Sequence, residues 1–153
     1  MSDDLPDDQR DALVHWSMFG QPGAPVTERF IPDADERLRL KPFVSPASGV
    51  WLDRFDAIHT ERLVRGFPWR DMEDKWVVWS DDSRPGWASV HFHRSWTGAE
   101  LIRIDLELTD TGSLCRRATW EMDPGTLTDP SEAFARETFL EITRWVLGMR
   151  PND

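Results

Sequence analysis

Leu101-Ile-Arg-Ile-Asp-Leu-Glu-Leu108 alternates without a break, with Ile102, Ile104, Leu106 and Leu108 on one side and Arg103, Asp105 and Glu107 on the other. A period of two is the pattern of a half-buried β-strand. The segments around it repeat the pattern. Trp87–Trp96 sets Ala88, Val90 and Phe92 against Ser89, His91, His93 and Ser95. Leu114–Met122 sets Leu114, Ala118, Trp120 and Met122 against Cys115, Arg117, Thr119 and Glu121, with Arg116 interrupting the apolar side near a strand end. Asp74–Trp79 is apolar on both faces, which predicts a central strand. Short turns at Asp81–Gly86, Thr97-Gly98 and Asp110-Thr-Gly-Ser113 join neighbours and predict an antiparallel meander.

Helical spacing appears on either side of these strands. Ala135, Phe139, Ile142, Val146 and Met149 form one stripe, introduced by Asp129 as cap, Pro130 in the first turn and Glu132. Asp53 is the expected cap of a helix over Arg54–Arg65, with Phe55, Ile58, Leu63 and Val64 inward and Gly66-Phe-Pro68 ending it. A short helix is expected over Gln9–Phe19 after a frayed acidic arm at residues 1–8. Glu28–Pro32 and Arg37–Phe43 read as short extended pieces, and Ser45-Pro-Ala-Ser-Gly49 as a loop. The class is therefore α+β: an antiparallel meander of four or more strands, with helices packed on one face, in a single domain spanning 1–153.

Composition sets limits on function. The 153 residues carry a formal charge of −10, a field that repels duplex nucleic acid and anionic membranes. No apolar run approaches the roughly 20 residues of a membrane span. The acidic opening Met1-Ser-Asp-Asp has no apolar core of a secretory signal, and Cys115 is the single cysteine. A reduced, cytoplasmic setting is the expectation. Nine Trp and no Tyr supply aromatic surface both for a core and for stacking sites.

If helices take the apolar side of the sheet, the other side presents His91, His93, Arg103, Asp105, Glu107, Arg117 and Glu121, joined by Val77 and Trp79. Symmetric hairpins place Asp105 near Arg117 and His91 near Asp105. One reading is a solvated face stitched by cross-strand ion pairs. The other is a shallow pocket in which Trp79 stacks a ligand, arginines hold an anion, and a histidine beside a carboxylate moves a proton. His91-Phe-His93 also has the spacing of two metal ligands on one strand, with Asp105 or Glu107 as a third. That pattern is a weak signal by itself, and no cofactor is expected. The chain has no Gly-rich phosphate loop, no His-Glu-x-x-His and no Gly-x-Ser-x-Gly elbow.

Met72-Glu-Asp-Lys-Trp76 and Phe92-His-Arg-Ser-Trp-Thr-Gly98 together resemble the paired motifs of a family of small bacterial proteins. The resemblance spans about residues 67–108 and points toward ADP-ribose-related genes. It implies no catalytic residue. Physically, Arg94 falls on the Phe92 side, where a charge needs a partner such as Glu73 or Asp74. The two motifs then form one structural clip. The rival is a ligand site at that edge, in which Trp69, Arg70, Lys75, Arg94 and Ser95 receive an anionic, stackable group.

Three functions fit. The first is a binding module for a basic protein partner, of immunity or antitoxin type. The second is a binder or small hydrolase of a nucleotide- or ADP-ribose-type ligand, working at the Trp69/Lys75/Arg94 edge or on the His91/His93 face. The third is a self-associating structural protein, a homodimer. The first leads at the level of sequence, since no complete catalytic constellation can be assembled.

Overall fold

The computed structural model describes residues 28–68 and 74–149. The acidic arm, the helix expected at Gln9–Phe19, and Trp69 and Arg70 lie outside them. The described elements are α1 (Ala34–Arg39), β1 (Pro46–Gly49), β2 (Arg54–Asp56), α2 (Ala57–Arg65), β3 (Trp76–Asp81), β4 (Trp87–Arg94), β5 (Glu100–Thr109), β6 (Gly112–Glu121) and α3 (Glu132–Glu141), which runs on as a wider turn over Ile142–Val146. The six strands form one antiparallel sheet in the order β1-β6-β5-β4-β3. β2 also pairs with β6, so β1 and β2 are two pieces of one interrupted edge strand.

The meander from β3 to β6 follows the alternation in the sequence. Ile102, Ile104, Leu106, Val90, Phe92 and Ala118 are buried against Leu63 of α2 and Ala135 and Phe139 of α3. Phe139 meets Phe92 edge to face, and Trp51 stacks on Trp120 at 5.8 Å. Burial of such side chains is the main source of stability. The apolar stripe of the last helix is buried throughout, at Ala135, Phe139, Ile142, Val146 and Met149.

Several boundaries move, each for a local reason. Asp56, not Asp53, caps α2 by accepting the His59 backbone N–H. Asp53 instead grips Arg136, and residues 54–56 pair with β6, leaving Ile58 exposed. Ser131 caps α3, two residues beyond Asp129. Pro46–Gly49 is an edge strand rather than a loop; Pro46 sits at its first position, where a missing N–H is harmless. Residues 34–39 are helical because Asp33 and Glu36 form a reciprocal capping box. β3 is not central. It is an edge strand whose outer side is closed by a two-bond bridge between Phe67 and Val78. Both of its faces are apolar because Trp76 and Val78 join the core while Val77 lies beside Phe30 and Leu40 on the other side.

Two β-bulges decide which side chains face where. In β6, Asp105 stands opposite Arg117 as expected, but Leu106 stands opposite Cys115, so Arg116 is the extra residue. The bulge exchanges the faces of Cys115 and Leu114, and Cys115 enters the core. In β5, Phe92 pairs with Ile102 and His93 with Glu100, so Leu101 is extra. That bulge turns Glu100 away from the helices.

The second face of the sheet is not open. Residues 29–45 cross it. Arg29 binds Asp82 and the Ser80 carbonyl beside β3. Arg37 lies 5.6 Å from the Trp79 ring, and Lys41 bridges to Ala99. Phe43 packs under the Arg103 guanidinium. The backbone N–H groups of Val44 and Ser45 both donate to the buried Glu121 carboxylate at 2.7 Å. Helices α2 and α3 therefore share one face, and α1 belongs to the other.

Candidate functional site

Alternation along β3 and β4 brings Trp79, His91 and His93 to the second face, and the Leu101 bulge adds Glu100. Trp79 stands opposite His91 and stacks on it at 4.2 Å with the rings 11° from parallel. The Trp79 indole N–H donates to His93 Nε2 at 3.1 Å. An indole nitrogen only donates, so His93 Nε2 carries a lone pair and Nδ1 carries the hydrogen. Nδ1–H donates to the Gly98 carbonyl at 2.8 Å. Burial favours this neutral form and pushes the His93 pKa below its ordinary value.

Glu100 is 5% exposed, and its carboxylate touches only imidazoles among the described residues. Oε2 forms a close hydrogen bond with His91 Nδ1 and lies 3.7 Å from His93 Nε2. A histidine oriented through Nδ1 by a carboxylate is equipped for proton transfer at its other nitrogen. His91 is the half-buried member of the group. Gly98 holds the far end in place. Its φ is +75°, and its Cα passes so close to Arg39 that an added Cβ would stand 1.7 Å from the Arg39 carbonyl oxygen. Lys41 N–H also donates to Gly98 O.

Next to this cluster on the same face lies a groove of about 450 Å³. Its lining includes Arg84, Trp87, Ser89, Arg116 and Arg117, with Asp81 and Asp105. Ser89 precedes His91 by one outward position on β4, roughly 7 Å along the strand. Asp81 stands opposite Ser89 and is turned back to its own loop. The Ser83 backbone N–H holds its carboxyl below the usual range. Asp105 accepts from Ser89 Oγ at 2.7 Å and lies 3.6 Å from Arg103. The expected His91–Asp105 contact is therefore replaced by His91–Glu100; His91 itself stands opposite Arg103. Arg116 pairs with Glu107. Arg117 donates to Ser48 Oγ at 3.0 Å, and Arg84 lies 4.5 Å over the Trp87 ring. Neither Arg84 nor Arg117 pairs with a carboxylate among the described residues.

The described part of the first motif, Asp74, Lys75 and Trp76, meets the second at the β3–β4 end, while Met72 and Glu73 lie outside the described residues. Trp76 stands opposite Arg94, whose guanidinium lies 5.0 Å over the Trp76 ring. Burial lowers the Arg94 pKa. Ser95 donates through Oγ to Asp74 O and through N–H to Lys75 O. Lys75 Nζ lies 4.9 Å over the exposed Trp96. The cavity that Ser95 and Gly98 line holds about 30 Å³, the scale of one or two waters. Lys75, Arg94 and Ser95 are thus each engaged with neighbouring protein groups, while Trp69 and Arg70 of that edge lie outside the described residues.

Of the residues expected at the site, Trp79, His91 and His93 converge. Arg117 and Asp105 line the neighbouring groove, and Arg103 reaches Asp105 and Thr119 between them. Glu107 serves Arg116, and Glu121 serves the crossing segment. Glu100, Arg37, Arg84 and Trp87 were not anticipated. Comparison with protein-family models, with curated proteins and with solved structures gave no match.

Proposed function

We propose that this chain binds a small anionic ligand of nucleotide type on the second face of the sheet. The observation that carries the reading is the pair of guanidiniums, Arg84 and Arg117, that pair with no carboxylate among the described residues while lining a groove of about 450 Å³. The volume lies in the range of small-molecule sites, roughly 300–1,000 Å³. Guanidiniums without a direct carboxylate partner are unexpected in a chain of charge −10 and favour phosphate or carboxylate, although Asp81 and Asp105 also line the groove. Trp87 supplies an aromatic surface for a flat ring, and the His91–Glu100 pair stands one outward position along β4. That placement also fits a hydrolase, with His91 moving the proton.

The test is a thermal-shift and calorimetric comparison of ADP, ADP-ribose and adenosine. The expected result is stabilisation by the two phosphate compounds, about 2.7 kcal/mol at 100 times the dissociation constant, with none from adenosine. Arg84→Ala and Arg117→Ala, both at exposed positions, should abolish the shift without altering the fold. A flat response to both phosphate compounds overturns the reading, as does an equal response in the variants. The protein-partner reading, supported by the charge of −10, would then lead. Self-association through the second face has less support, since residues 29–45 already cross that face.

A further inference from the structure

We propose that His91, His93 and Glu100 form a binding site for a borderline divalent cation of the zinc class. One ligand atom from each residue lies within 4.8 Å of the others. The inference does not rest on the anion groove.

Three independent features support it. First, the tautomer of His93 is fixed. Nδ1–H is committed to the Gly98 carbonyl, so the lone pair is on Nε2, where it accepts the Trp79 indole N–H and lies 3.7 Å from Glu100 Oε2. Metal-binding histidines are oriented in this way, with the non-ligating nitrogen donating to a carbonyl or carboxylate. Gly98 is itself locked by its approach to Arg39, so the imidazole is held before any ion arrives.

Second, the charge calls for a cation. Glu100 is buried with imidazoles as the only partners of its carboxylate among the described residues. A buried carboxylate without a compensating charge is costly. Among the described residues no lysine or arginine pairs with it, so a proton shared between His91 and Glu100, or a divalent ion between the three groups, would balance the charge.

Third, one of the three separations is already near what the ion requires. Ligand atoms about 2.0–2.2 Å from a tetrahedral zinc are roughly 3.3–3.5 Å from one another. His93 Nε2 and Glu100 Oε2 stand 3.7 Å apart. His91 Nδ1 and Glu100 Oε2 are closer and would separate to admit the ion. The Trp79 indole N–H, now on His93 Nε2, would swing aside. Two imidazoles and one carboxylate favour zinc, cobalt or nickel over calcium and magnesium, which prefer all-oxygen sites. Three protein ligands leave a fourth position for water or a ligand, as in catalytic rather than structural zinc sites.

The test uses the full chain without a histidine tag, stripped with chelator and titrated with zinc and with cobalt(II). Calorimetry should show one ion per chain, and cobalt should give the intense visible absorption of four-coordination. Glu100→Gln and His91→Ala should each weaken binding by about 100-fold or more. His91 is half-buried, so that variant keeps the test open if Glu100→Gln fails to fold. Failure of wild type to bind either ion overturns the proposal and leaves a shared proton as the compensating charge. Weak six-coordinate cobalt, or equal affinity in a folded variant, also overturns it.

Discussion

Arg136 and Asp53 meet at two points, Nη1 to Oδ1 and Nη2 to Oδ2, each at 2.6 Å. The pair ties α3 to the break between β1 and β2. The Asp53 backbone carbonyl accepts the Cys115 N–H, so the same residue also anchors that break to β6. The Arg136 guanidinium lies 5.0 Å over Trp51 as well. Arg136→Lys keeps the charge but loses the fork and the stacking. It should lower stability by about 1 kcal/mol, and Arg136→Ala by about 1–2 kcal/mol, since the pair is partly solvated. Urea denaturation of the two variants measures this; wild-type midpoints would mean that the edge strand is held by other contacts.

Gly98→Ala should be strongly destabilising. The new methyl would sit 1.7 Å from Arg39 O at a φ of +75°. Displaced backbone and an unfavourable conformation together should cost roughly 3 kcal/mol or more. The same change should release His93 Nδ1–H from its carbonyl. Chemical denaturation reads the first effect, and the imidazole NMR signals of His93 read the second. Unchanged values in both would remove Gly98 from the support of the cluster.

Burial pushes the Cys115 thiol from its ordinary 9.0 up to about 12. At about pH 8 the thiolate is roughly one part in ten thousand, so the native protein should react very slowly with a disulfide reagent and rapidly once unfolded. The sign of the linkage follows. The folded value lies above the unfolded one, so the contribution to stability is intact below about pH 9 and is lost as pH rises toward 12. Rapid native labelling would place the thiol outside the core.

The sequence made the meander legible because Ile102, Ile104 and Leu106 alternate with charged residues and are buried in just that pattern. Trp79, His91 and His93 could be assigned to one face by the same rule. Glu100 could not. Its parity with Ile102 puts it among the core residues, and only the extra residue at Leu101 reverses it. A bulge reflects competition between paired strands and has no fixed local signature. The bulge in β6 did leave a trace, since Arg116 stands where the alternation demands an apolar residue. The α1 helix was legible in principle, through Asp33 and Glu36 at capping-box spacing. Asp53 and Asp56 offered two caps for one helix, and pairing of residues 54–56 with β6 chose between them.

The segment over the second face also constrains the order of assembly. Its attachments lie on or beside strands that follow it in the chain, at Asp82, Trp79, Gly98 and Glu121. From Ser45 to its acceptor Glu121 the separation is 76 residues. During synthesis the segment leaves the ribosome before any of these partners exists, and its docking can be completed only after Glu121 of β6 has been made. Closing such long loops is slow relative to forming local hairpins. The earliest-made part of the described chain is therefore expected to settle late, and until it does, the histidines beneath it remain accessible to water and ions.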